Sequence, residues 1–165
     1  MSILLIAGMI LTVILLTKQK DWSSVGFITN ISYKLKGSLL SQNFWLAGAA
    51  LFAANTALFG IAFVIMFFLP MGTILGLLLC IPLSIFTWLF ISEIWDGDDK
   101  DKIKMACVGN SFFLILMIWA IWYYITLEPA YPGDDLFMAW IGLVFSLILG
   151  LGAMAVSMFV ILRNR

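Results

Sequence analysis

The sequence predicts an all-α integral membrane protein with five transmembrane helices, N-terminus outside and C-terminus inside. Three observations carry that expectation. Apolar residues make up 64% of the 165 residues and charged residues only 11%, against about half and about a quarter in soluble domains. From Phe44 to Ser92 there is no Asp, Glu, Lys, Arg or His. As helix that run would be roughly 70 Å long, more than twice the ~30 Å bilayer core, so it must cross twice. Finally, five spans place all nine basic residues on one side, as the positive-inside rule requires.

Residues 2–17 form a short apolar run, about 24 Å as a helix, which just suffices to span. It lacks a basic n-region, and no small-residue cleavage site follows it; Lys18 and Lys20 come next. A retained first helix is expected. In the stretch 18–43, Trp22, Val25, Ile28, Ile31, Leu35 and Leu39 recur every three or four residues, as in an amphipathic helix lying on the membrane. Val25, Phe27, Ile31, Tyr33 and Leu35 also alternate as a strand would. The interfacial helix is preferred because a lone strand would leave its edges unpaired. Gly37 should break it. The sequon Asn30-Ile31-Ser32 falls on the side assigned to the cytoplasm.

Residues 44–69 and 71–92 form a helical hairpin reversing at Leu69-Pro70-Met71-Gly72, where proline removes a backbone donor and glycine permits a tight turn. Pro82 should kink the second arm, leaving the Leu78 carbonyl without its usual partner. Glu93–Lys104 reads as a short charged loop. Its Asp96-Gly97-Asp98-Asp99-Lys100-Asp101 run lacks the glycine and glutamate positions of a calcium-binding loop. The fourth span is 105–127, followed by the turn Glu128–Asp135, and the fifth is 136–162. The chain is thus one transmembrane bundle with its basic loops expected in the cytoplasm, at the cell membrane.

Several functions are disfavoured by what the spans lack. There is no histidine anywhere, which removes His-ligated haem, zinc and copper and a histidine base. No charged residue lies inside the predicted spans, so neither ion-coupled transport nor intramembrane acid–base catalysis has its usual groups. No metal or cofactor is expected. The two cysteines, Cys80 and Cys107, fall at different depths, which argues against a bridge. Zero net charge gives no basis for nucleic-acid binding.

The polar residues left in the spans are the candidate site. Asn55 lies about 16 Å into its span, near the bilayer centre, opposite Ser84 to Thr87 on the return helix. An interhelical hydrogen bond there would satisfy an amide that lipid cannot. Asn110 is assigned the same kind of contact, nearer the inner edge. Small residues four apart offer helix-packing faces: Gly72, Gly76, Cys80 and Ser84; Gly142, Ser146 and Gly150; and Ala49, Ala53 and Ala57. Such faces let backbones approach, within one bundle or toward a partner. Phe44, Trp45, Trp88 and Trp95 are expected at the inner interface, and Trp119, Trp122, Tyr123, Tyr124 and Trp140 at the outer one.

In outline, five spans with seven tryptophans resemble the tryptophan-rich sensory proteins. None of that family's motifs matches, so the likeness carries no function. The expected function is a non-catalytic accessory subunit, or a regulatory or protective partner, of a larger membrane complex. Its partners would be lipids and a membrane protein or a second copy of itself. The alternatives are a small oligomeric transporter or channel lined by Asn55, Ser84, Thr87 and Asn110, and then a lipid- or quinone-interacting enzyme.

Overall fold

A computed structural model describes residues 36–69, 72–129 and 136–163. The predicted first span, residues 18–35 of the interfacial segment, the sequon, Pro70–Met71, and most of the Glu128–Asp135 turn lie outside them. Within the described residues, 89% is helix and there is no strand. The elements are α1 (Leu39–Gln42), α2 (Phe44–Phe68), α3 (Gly72–Ile94), α4 (Asp99–Thr126) and α5 (Phe137–Arg163). Among the described residues, α2, α4 and α5 are long and apolar enough to cross a membrane, which marks the chain as a membrane protein.

Local chemistry sets the helix ends. The Asn43 side chain caps α2 by accepting the Trp45 N–H at 3.0 Å. At the other end Leu69 is extended, with φ −108°, as the residue before a proline prefers. Helix α3 passes through Pro82 without ending. Helix α4 begins earlier than the predicted fourth span, so the charged loop shrinks from Glu93–Lys104 to Trp95–Asp98. Its first turn carries Asp99 and Asp101, where carboxylates complement the positive end of the helix dipole. Ahead of α2, Gly37 has φ +95°, a conformation that glycine adopts freely. The Ser41 hydroxyl accepts the Gly37 N–H at 3.0 Å and donates to the Ser38 carbonyl at 2.8 Å. The Asp96 N–H in turn donates to the Ser41 carbonyl at 3.1 Å, tying α1 to the α3–α4 loop.

Close approaches at glycine define how the helices pack. A Cβ on Gly72 would press on the Ile65 carbonyl and stand 2.7 Å from the Met66 Cα, so α2 and α3 are antiparallel and nearly touch at their turn. A Cβ on Gly48 would stand 2.7 Å from the Val108 Cβ, and one on Gly109 would stand 2.8 Å from the Leu51 Cβ. These contacts run α4 parallel to α2. A Cβ on Gly150 would lie 2.8 Å from the Met117 Cγ, and α5 returns antiparallel to α4. The Ser92 hydroxyl closes the ring by donating to the Ile161 carbonyl at 2.8 Å. Thus α2 packs on α3 and α4, and α5 packs on α4 and less extensively on α3.

The starts of α2 and α4 and the ends of α3 and α5 therefore share one end of the bundle. Lys36, Lys100, Lys102, Lys104 and Arg163 all sit there, and the Lys104 ammonium lies 5.2 Å from the Phe44 ring centre. The buried core occupies this basic half: Ala47, Leu51, Ile85, Trp88, Trp95, Met105, Ala106, Val160 and Ile161. Among the described side chains, none on α2 beyond Asn55 and none on α5 before Ser157 is buried.

Candidate functional site

A polar layer crosses the core of the basic half. Asn55 is buried, and its Oδ1 accepts from the Trp88 Nε1–H at 2.9 Å. Its Nδ2 donates to the Gly109 carbonyl at 3.4 Å. One side chain on α2 thus holds both α3 and α4. The missing side chain of Gly109 is what lets Leu51, one turn before Asn55, reach the α4 backbone.

The sequence places Asn55 opposite Ser84 to Thr87, whereas its bonds run to Trp88 and to the Gly109 carbonyl. Thr87 does not face Asn55; the Thr87 hydroxyl donates to the Leu83 carbonyl of its own helix at 2.8 Å. Ser84 is half-buried. Trp88, expected in the inner aromatic belt, is only 4% exposed, and Trp95 is buried as well. An indole near the end of an apolar span reads as an interfacial anchor, whereas here its N–H is needed by a buried amide. Trp45, Trp119, Trp122, Tyr123 and Trp140 do face outward. Trp119 and Tyr123 stack with ring centres 6.0 Å apart.

Asn110 follows Gly109 on α4 and is 0% exposed. Among the described residues, neither its Oδ1 nor its Nδ2 has a hydrogen-bond partner, and the same holds for the buried hydroxyl of Ser157 on α5. Sequence reasoning does not single out Ser157. A serine inside an apolar span usually bonds its own helix, and nothing local distinguishes this one.

The small-residue faces divide. Gly72 and Gly76 lie against α2, where a Cβ on Gly76 would be 3.4 Å from the Ala62 carbonyl, and Cys80 is buried. Gly150 lies against Met117, but Ser146 bonds its own helix at the Leu143 carbonyl and Gly142 has open space around it. Ala49, Ala53 and Ala57 are exposed, so that face is not the one α2 packs with. The packed face is Ala47, Gly48, Leu51 and Asn55. A span that is apolar all round offers several small-residue stripes, and spacing alone does not choose among them. Cys80 is buried and Cys107 exposed, both as free thiols.

Chemically, the layer offers hydrogen bonds and no titratable group. Among the described residues Lys102 is the one buried charged side chain, 7% exposed at the basic end. No group of three or more potential metal ligands occurs among the described residues. No protein-family model matches the chain, and no curated protein or solved structure matches it.

Proposed function

We propose that this chain is a non-catalytic multi-pass membrane protein acting as an accessory subunit, or a regulatory or protective partner, of a larger membrane-protein complex. The observation that carries this reading is the unused small-residue surface. Among the described residues, nothing lies within 4 Å of where a Cβ would stand on Gly60, Gly142 or Gly152, and Ala49, Ala53 and Ala57 are exposed on α2. Glycine costs a helix about 1 kcal/mol relative to alanine, while small residues are what let another membrane helix approach closely. A hydrogen-bonding layer without an acid or base fits a structural role better than a catalytic one.

On this reading the chain spans five times, N-terminus outside and C-terminus inside, with the basic end in the cytoplasm at the cell membrane. Native mass spectrometry from mild detergent is the test. A larger membrane protein bound at fixed stoichiometry is expected; the chain alone, at every gentleness of extraction, would overturn the reading. Single cysteines introduced near Lys100 and near Glu128 should label from opposite compartments. The buried polar layer favours a second reading, a small oligomeric transporter. Flux through liposomes of the pure protein, abolished by Asn110→Leu, would put that reading first.

A further inference from the structure

We infer that the α4–α5 seam holds bound water between Asn110 and Ser157. Register brings the two residues together. Met117 meets Gly150 across this antiparallel seam, and Asn110 lies seven residues before Met117 while Ser157 lies seven after Gly150. Seven residues are close to two helical turns, so both positions return to the same faces at a common height. The α3–α5 contact gives the same height independently: Ser92 bonds to Ile161, and one turn earlier on each helix stand Trp88 and Ser157. Asn110 and Ser157 therefore extend the layer in which Asn55 bonds Trp88 and Gly109.

Both side chains are 0% exposed, and among the described residues the amide Oδ1, amide Nδ2 and hydroxyl Oγ find no partner. Four other hydroxyls in these helices settle on their own backbone, Thr56 on Phe52, Thr87 on Leu83, Ser111 on Val108 and Ser146 on Leu143, and Ser92 bonds Ile161 across a seam. Ser157 does neither. Unpartnered polar groups at one height on two packed helices are the arrangement that water bridges. A buried water needs two to four polar partners, and three atoms are present. An ion would meet no opposite charge in this layer, and full burial leaves no route for a larger ligand's exposed portion. With water in place, one hydrogen-bonded layer ties all four long helices.

Water-edited solid-state NMR on the full chain in lipid bilayers, with asparagine side chains labelled, tests this. The Asn110 side-chain amide should receive magnetisation from water, while the Asn55 amide, bonded to protein, receives much less. Ser157→Ala should remove most of the transfer to Asn110 and leave the Asn55 signal in place, showing that the bundle is still folded. If Asn110 receives no more than Asn55 in the unaltered protein, the seam is dry and the inference is overturned. Transfer that persists undiminished in Ser157→Ala overturns it too. The wild-type comparison stands whether or not the variant folds.

Discussion

The two halves of the bundle are built from the same apolar material and packed differently. In the basic half Leu51, Met105, Val160 and Ile161 are fully buried around the Asn55–Trp88 bond. Toward the other end, Phe63, Phe67 and Phe68 on α2, Ile118, Trp119 and Ile125 on α4, and Met138 and Phe145 on α5 are exposed. There, close contacts between helices are made by Gly72 and Gly76 with α2, by Gly150 with Met117 and by the Phe59 and Phe112 rings. In water such an exposed surface would collapse. In lipid it carries no such penalty, because acyl chains are as apolar as leucine. Among these helices, then, apolarity decides that a segment enters the membrane, while glycines and hydrogen-bonding side chains decide where helices touch.

The sharpest way to break that comparison is to remove equivalent bulk from each half. Leu51→Ala empties a fully buried site beside Gly109 and should cost about 2–5 kcal/mol. Phe67→Ala, at a side chain 75% exposed, should change stability by no more than about 0.5 kcal/mol. Reversible unfolding in mixed micelles would measure both. Equal losses would mean that the far half is packed as tightly as the basic half.

Adding atoms gives a second contrast, with opposite signs. Gly109→Val would drive its side chain into Leu51 and should destabilise by about 1–3 kcal/mol. Gly142→Ala meets open space and should be neutral or stabilising by up to about 1 kcal/mol through helix propensity. The same unfolding measurement decides. If Gly142 lies in a packed seam rather than on an open surface, Gly142→Ala will destabilise instead.

Next in size is the polar layer. Asn55→Leu leaves the buried Trp88 N–H without its acceptor, at a cost of about 1–3 kcal/mol. Trp88→Phe removes the donor but keeps an aromatic ring against Phe113. A double-mutant cycle between the two should return a coupling of about 0.6–2 kcal/mol. A coupling near zero would show that the layer contributes nothing to holding the helices together.

Much of this fold is legible in the sequence, and the part that is not has an identifiable cause. Long uncharged runs and the Pro70 turn mark α2 and α3, and Asn55 stands out because an amide in an apolar span needs a partner. The direction each side chain faces is another matter. Helices α2 and α3 are apolar on every side through their spans, so no periodicity indicates that Gly48 rather than Ala49 lies in the seam, or that Trp88 turns inward. The start of α4 is also hidden. Asp99 and Asp101 look like loop residues until the preference of carboxylates for a helix N-terminus is considered. Ser157 offers no local signal at all; its significance comes from Asn110, forty-seven positions earlier in the chain, standing at the same height across the seam.

The smallest expected effect sharpens the comparison by asking what the charges at the basic end contribute. Lys104 bonds Asp101 at 2.8 Å, three residues before it on α4, with both side chains well exposed. It also lies above the Phe44 ring at the start of α2. Solvent and salt screen an exposed pair of this kind, so Lys104→Ala should cost about 0.5 kcal/mol or less. Lys104→Met retains the apolar stem over Phe44 and separates packing from charge. If raising the salt concentration abolishes the difference between wild type and Lys104→Met, the ion pair accounts for it. If the difference is unchanged by salt, the attraction of the ammonium to the Phe44 ring does. Should Lys104→Ala prove as damaging as Leu51→Ala, charge rather than close packing would be the organising force at this end of the bundle. Leu51, Gly109 and Asn55 would then lose their place as the residues that fix how the helices meet.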